Sequence, residues 1–170
     1  MPGHGALPDA IAALVPRLRR FARTLARQPA DADDLVQVTV ERALRASAQW
    51  NGQSRLESWL FGIMKNAFLD DRRGRARWDR VLAPAEDGEQ VGERPIDAHD
   101  ERTSIETAMA RLPEEQRLAV ALVLVEGLSY KEAAAVLEVP IGTVTSRLAR
   151  GRASLVAALE APAGPPGERR

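Results

Sequence analysis

The sequence predicts an all-α protein of two small helical domains joined by a flexible linker, the C-terminal one a helix-turn-helix. Three observations predict it. Apolar residues make up 45% of the 170 and recur mainly at spacings of three and four, the period of one helix face. Aromatics are only 4%, which favours aliphatic helix-on-helix packing over a β-sandwich. Between residues 82 and 102 the periodicity stops: "LAPAEDGEQVGERPIDAHDER" is acidic, holds two prolines and two glycines, and carries no apolar stripe, the composition of a linker.

The elements follow in order. Ile11, Leu14, Leu18, Phe21 and Leu25 recur at helical spacing, with Arg17, Arg19, Arg20 and Arg23 between them. Pro16 either starts this helix or kinks it. After Gln28-Pro29, Asp31 is expected to cap a second helix, with Asp33 and Asp34 in its first turn, where the helix dipole favours acids. Its buried stripe is Leu35, Val36, Thr39, Val40, Ala43 and Leu44, and it stops near Ser47. Asn51-Gly52 marks a turn. Ser54 and Glu57 have capping-box spacing and open a third helix. Leu56, Leu60, Ile63, Met64, Ala67 and Phe68 form its apolar face, Trp59 belongs to the core, and its far end is basic: Arg72, Arg73, Arg75 and Arg77. These helices make one domain over residues 1–80.

A linker is placed at 81–102 and a second domain at 103–160. Thr103 or Ser104 caps a short helix with Ile105, Ala108 and Leu112 inward. Pro113 opens the next, with Glu114 and Glu115 in its first turn and Gly127 just past its end. Ser129 caps a helix that runs to Leu137. The Pro/Gly-rich tail, 161–170, is expected to be disordered.

The stretch "LSYKEAAAVLEVPIGTVTSRLARGRASL" holds two helical patterns around a short break at Glu138-Val139-Pro140. Ala133, Ala134 and Leu137 face inward on the first. Val144, Leu148 and Leu155 share one face of the second with Gly151. The opposite face carries Thr145, Ser146, Ala149, Arg150 and Arg152. A helix-turn-helix has this layout, and its second helix enters the DNA major groove. Arginine pairs bidentately with guanine, and hydroxyls bond to bases or phosphates. Glu138 departs from the pattern, because the turn position it occupies often holds a left-handed glycine.

Around this motif, "LPEEQRLAVALVLVEGLSYKEAAAVLEVPIGTVTSRLARGRASL" resembles the C-terminal DNA-binding domain of a bacterial sigma factor. In the N-terminal half, "DADDLVQVTVERAL" and "SRLESWLFGIMKNAFLDDRRGRAR" resemble that family's core-binding and promoter-melting helices. Two domains with no third between them match the extracytoplasmic-function (ECF) class. Val38 stands where the family more often has an acid.

The resemblance implies partners and site residues. Asp33, Asp34 and Gln37, with Glu41 and Arg42 one turn on, would dock on the clamp helices of the β′ subunit of core RNA polymerase, whose β subunit is the other expected contact. The loop Trp50, Asn51, Gly52, Gln53, Ser54 and Arg55 would help form the pocket for a flipped base of the −10 element. Asn66 offers both donor and acceptor to that base. Lys65, Arg72, Arg73 and Arg75 would line the single strand. Thr143, Thr145, Ser146, Arg147, Ala149, Arg150 and Arg152 would read the −35 element. An anti-sigma factor is implied as regulator.

Composition sets the remaining bounds. The absence of cysteine excludes a disulfide framework and a thiolate metal site. His4 and His99 lack partners at metal-ligand spacing. No catalytic constellation, phosphate loop or cofactor motif emerges, so the expectation is a protein that is not an enzyme and needs no cofactor. Without a signal peptide or a long apolar run it is expected in the cytoplasm, with no membrane insertion. Lysine plus arginine equals aspartate plus glutamate, 24 each, so binding to an anion must come from local segregation of charge. Two alternatives to a sigma factor remain: a stand-alone helix-turn-helix regulator and a sigma-mimicking interaction module.

Overall fold

Helix α1, Ala6–Leu25, buries Ile11, Leu18, Phe21, Ala22 and Leu25. In the computed structural model, which describes residues 6–82 and 104–160, Pro16 stands inside this helix rather than at its start. Proline removes the bond its N–H would make to the carbonyl four residues back. Pro16 and Ala12 are both exposed, so that carbonyl lies on the solvent side of the helix.

Helix α2, Pro29–Arg45, begins earlier than the sequence predicts. Gln28 is its extended cap residue and makes no side-chain cap bond, and Pro29 sits at the first helical position, where its fixed φ suits the helix and its missing N–H costs nothing. Asp31 is therefore not the cap. It lies in the first turn and pairs with Arg75 at 3.3 Å. Ala32, Leu35, Val36, Thr39 and Ala43 are buried, and the Thr39 hydroxyl donates to the Leu35 carbonyl at 2.7 Å. Leu44 is 44% exposed. It lies one residue, about 100°, round from Ala43, which carries it off the buried stripe.

A 3₁₀ turn, Ser47–Gln49, leads into the loop. The Gln53 N–H donates to the Asn51 side-chain oxygen at 3.1 Å, and Gly52 has φ 73°, the left-handed conformation that favours glycine. Helix α3, Leu56–Leu82, is 27 residues long and ends two residues past position 80, where the N-terminal domain is expected to stop. The Ser54–Glu57 capping box does not form, because the Glu57 carboxylate is taken by Arg17 and Arg55. At the centre of this half Phe21 and Phe61 meet edge to face, 4.9 Å between centroids, among the fully buried Ile11, Leu60 and Met64.

The C-terminal half starts with α4, Ser104–Arg111, which buries Ala108 and Met109. Ile105, expected inward, is 60% exposed. Helix α5, Glu114–Val120, runs on into a π-helical turn, Ala121–Val125. There the Glu126 N–H reaches back five residues to the Ala121 carbonyl, at 2.9 Å. Gly127, φ 73°, ends the segment. Ser129 caps α6, Tyr130–Leu137, in a full capping box with Glu132. Glu138 is left-handed at φ 56°, and α7 follows, Ile141–Glu160. The predicted linker from residue 83 on, the tail, and His4 and His99 lie outside the described residues.

Helices α5 and α7 approach closely because Gly151 has no side chain: a Cβ there would stand 2.7 Å from Val120 Cγ2. Val120 is β-branched and 2% exposed, so it has little freedom to yield. Gly151→Ala is expected to destabilise the C-terminal half by about 1–3 kcal/mol, the usual cost of overpacking. The check is urea denaturation followed by near-UV and far-UV circular dichroism. An unchanged midpoint would show that α7 can shift away from α5.

The two halves pack together. Helix α6 lies on α3, and α1 contacts the π turn, α4 and α5. Arg117, 4% exposed, bridges them: Nη1 donates to the Leu25 carbonyl at 3.0 Å and Nη2 to the Leu112 carbonyl at 3.2 Å. Burial, with Arg27 and Arg72 nearby, lowers its pKa from the usual guanidinium value. None of the described helices is long and apolar enough to cross a membrane, and no cluster of potential metal ligands occurs among the described residues.

Candidate nucleic-acid interface

Helix α7 splits into two faces. Val144, Leu148 and Gly151 are buried and Leu155 packs against the core. Thr145, Ala149, Arg150 and Arg152 are exposed, while Thr143, Ser146 and Arg147 are half-buried. The Thr145 hydroxyl donates to the Ile141 carbonyl at 3.0 Å and that of Ser146 to the Thr143 carbonyl at 3.0 Å. Each keeps its lone pairs outward as acceptors, with the rotor fixed by its own helix. Arg147 is held by Glu115 at 3.1 Å. No ion pair among the described residues engages Arg150 or Arg152, so two outward guanidinium groups stand on a face without an acid. The dipole logic agrees: α7 has no acid in its first turn, and while the Thr143 and Val144 N–H groups donate to the Pro140 carbonyl, those of Ile141 and Gly142 are left to an anion such as a phosphate.

In the N-terminal half, Asn51, Gly52, Gln53, Ser54 and Arg55 form an exposed loop. Trp50 is half-buried against Trp59, 6.5 Å between ring centroids, and its buried indole N–H has no acceptor. Asn66 is exposed on α3; its amide is taken by no other described residue.

The expected cations are less free than the sequence implied. Lys65 is 4% exposed and donates to Glu138 at 2.9 Å. It is a buried, paired ammonium, because α6 and the turn after it cover this part of α3. Arg72 pairs with Glu114 at 3.3 Å. Arg73 lies 3.8 Å from Asp70. Arg75 lies between Asp71 at 2.9 Å and Asp31 at 3.3 Å. Arg55 meets Glu57 and, at 3.5 Å, Glu132.

The acidic set on α2 is more open. Asp33, Asp34, Gln37 and Glu41 are exposed, and Gln37 donates weakly to Glu41 at 3.4 Å. Arg42 turns to Asp70 on α3 at 2.9 Å. A cleft of about 460 Å³ adjoins this face, with Asp34, Leu35, Val38 and Arg42 on one wall and Ala67 and Phe68 on the other.

Sequence reasoning missed the acids of the C-terminal half that meet these cations. Glu126, with a side chain 0% exposed, takes Arg20 through two bonds of 2.8 Å. Arg17 reaches its carboxylate at 3.2 Å and its carbonyl at 2.7 Å. Glu132 is held below the usual carboxylate range by bonds from the Ser129 backbone and hydroxyl, then by Arg55. Glu138 is held below it by the bond from Lys65. These partners lie dozens of residues apart, and no local pattern marks them. The one available signal was Glu138 in a glycine position.

Comparison with known proteins follows the same division of the chain. Residues 10–78 match the family model for Sigma-70 region 2, and residues 102–155 match that for Sigma-70, region 4. The ECF RNA polymerase sigma factor EcfG of Rhodopseudomonas palustris is 39% identical over 160 residues, 94% of this chain and 88% of that one. The ECF RNA polymerase sigma factor SigM of Mycobacterium tuberculosis is 39% identical over 140 residues, 82% of this chain and 69% of that one. Among solved structures, the sigma factor RpoE of Bartonella quintana, in complex with the anti-sigma factor NepR, superposes with a TM-score of 0.78 at 29% identity. The match covers 93% of this chain and 99% of that one. CnrH, in complex with the cytosolic domain of CnrY, gives 0.64 at 28%, covering 91% and 90%.

Proposed function

The chain belongs to the ECF RNA polymerase sigma factors, and from that premise we propose how its residues bind core RNA polymerase and direct promoter-specific initiation. The observation that carries the assignment of roles is the pairing of an acid-free, outward arginine face on α7 with an exposed acidic start on α2. The two surfaces suit two partners of opposite charge. DNA takes the first and a basic protein surface the second.

Asp33, Asp34, Gln37 and Glu41 form the polymerase-binding face, with Arg42 bracing it through Asp70. Thr145, Ser146, Ala149 and Arg150 read base edges of the −35 element. Thr143, Arg147 and Arg152 hold its backbone. Asn66 and the loop from Trp50 to Arg55 receive a flipped −10 base, with the exposed Asn66 amide as the donor and acceptor offered to it. Lys65, Arg72, Arg73 and Arg75 supply positive charge to the strand. The domain division is 1–80 and 103–160 with 81–102 between them as linker, the helix α3 of the first domain running on to Leu82. The protein acts in the cytoplasm and carries no catalytic chemistry of its own, since RNA synthesis belongs to the polymerase. An anti-sigma factor holds it inactive, as the relatives solved with NepR and CnrY support.

Two experiments test this. In run-off transcription with core polymerase, Asp34→Arg is expected to weaken core binding about tenfold, as reversing an interfacial charge does through repulsion, while far-UV circular dichroism stays unchanged. Equal affinity for core polymerase would remove α2 from the interface. Across a library of −35 variants, Arg150→Ala is expected to relax preference at one base position, with a cost of about 1–3 kcal/mol. Arg152→Ala should weaken all sequences alike and make the salt dependence shallower. Unchanged base preference in Arg150→Ala would mean that α7 is docked differently.

A further inference from the structure

The ion pairs that join the two halves share one polarity. Five such pairs among the described residues take the base from the N-terminal half and the acid from the C-terminal half: Arg17 and Arg20 with Glu126, Arg55 with Glu132, Lys65 with Glu138, Arg72 with Glu114. Three of these bases belong to the −10 site assigned above, Lys65 and Arg72 along the strand and Arg55 in the loop for the flipped base. A row of carboxylates seated on cations suited to a phosphate backbone presents the same charge as that backbone.

Glu138 is the informative member. It is left-handed at φ 56° in a turn that has room for glycine, and a non-glycine residue there carries a local conformational cost. Its own side chain is 76% exposed and buries almost nothing. What it gains is the Lys65 ammonium at 2.9 Å, whose side chain is 5% exposed. A buried ammonium without a partner is costly. The closed packing of α6 on α3 thus depends on the residue that departs from the usual turn.

We propose that the C-terminal half is an intramolecular competitor for the −10 strand: Glu114, Glu132 and Glu138 occupy Arg72, Arg55 and Lys65 in a closed state, and Glu138 is its latch. The proposal rests on the assignment of the −10 site to α3 and its loop. A single strand meets these cations only when the halves separate, so its apparent affinity falls with the open fraction. Core polymerase or raised salt shifts the chain toward the open state, since exposed ion pairs are screened.

The chain has no cysteine, so Ala48→Cys and Ala157→Cys, both at exposed positions, place a donor and an acceptor dye on the two halves of the full chain. Glu138→Gly suits the left-handed turn and removes the latch. It is expected to lower the closed-to-open ratio about tenfold, the scale of one charge-assisted pair with one buried partner, and to reduce energy transfer at unchanged helicity. Glu138→Gln should act in the same direction, less strongly. A fluorescent 12-nucleotide single-stranded DNA should then bind more tightly, and with a steeper salt dependence than wild type, whose closed state weakens as salt rises. Unchanged energy transfer in Glu138→Gly would overturn the latch. Opening without tighter binding would overturn the competition, provided that Arg72→Ala, added to the opened chain, still weakens the oligonucleotide. If that added change has no effect either, it is the −10 assignment that fails, while the dye measurement decides the latch by itself.

Discussion

Replacing Asn66 with alanine is expected to lower opening of a duplex promoter by about 1–3 kcal/mol, roughly tenfold to a hundredfold, through lost hydrogen bonds to an extruded base. Asn66 is exposed on α3 while its neighbours Ala67 and Phe68 are buried. Truncation therefore removes a donor and an acceptor with little packing, and folding and core-polymerase binding should be retained. A template already mismatched at the −10 element should recover part of the activity, because unpairing then costs nothing. Permanganate footprinting of the −10 thymines on duplex and pre-melted templates, wild type beside mutant, measures both. Equal footprints on the duplex would take Asn66 out of the mechanism.

A larger loss of stability is expected at Phe61. Its ring is 0% exposed, meets Phe21 edge-on at 4.9 Å, and lies 5.5 Å beneath the Arg17 guanidinium. Phe61→Ala should cost about 3–5 kcal/mol through lost burial and the cavity left behind, a fall in Tm of at least about 10 °C for a domain of this size. The effect should travel, because Arg17 links Glu57 to Glu126, and loosening the ring beneath it frees the contact between the halves. Thermal denaturation by circular dichroism gives the first effect and the dye pair on the two halves gives the second. A cost below about 1 kcal/mol would mean that the neighbouring side chains close the cavity.

Much of this architecture is legible in the sequence because it is periodic or punctuated. The stripes of α1 and α3, the Ser129 cap, the Gly127 stop and the two faces of α7 all follow from spacing within one segment. The misplaced caps have two causes. Asp31 is passed over because Pro29 starts the helix two residues earlier, whereas the Glu57 carboxylate is drawn to Arg17 on another helix. Sequence separation hides such a competitor. Lys65 shows the same for the site: a lysine beside Asn66 reads as a solvated cation, and only the packing of α6 on α3 buries it and brings Glu138 to it. The outward set on α7 was recoverable because its polarity is written within one helix, and the acids of the C-terminal half were not because their partners lie in another domain.

The π turn at Ala121–Val125 carries a conflict between what suits the segment and what suits the whole. Widened turns are rare and occur as single-turn insertions inside α-helices, and deleting one residue here would let the segment continue as regular helix. Such a deletion would turn everything beyond it by about 100°, the angular step of one residue. The Glu126 carboxylate and carbonyl, which receive Arg17 and Arg20, would then point elsewhere. The chain accepts a locally widened helix so that its phase matches a surface more than a hundred residues away in sequence. The length of this segment is thus under stricter control than its composition: an aliphatic exchange within it is a repacking problem, whereas a change of one residue in length is a misalignment that no neighbouring rotamer can correct.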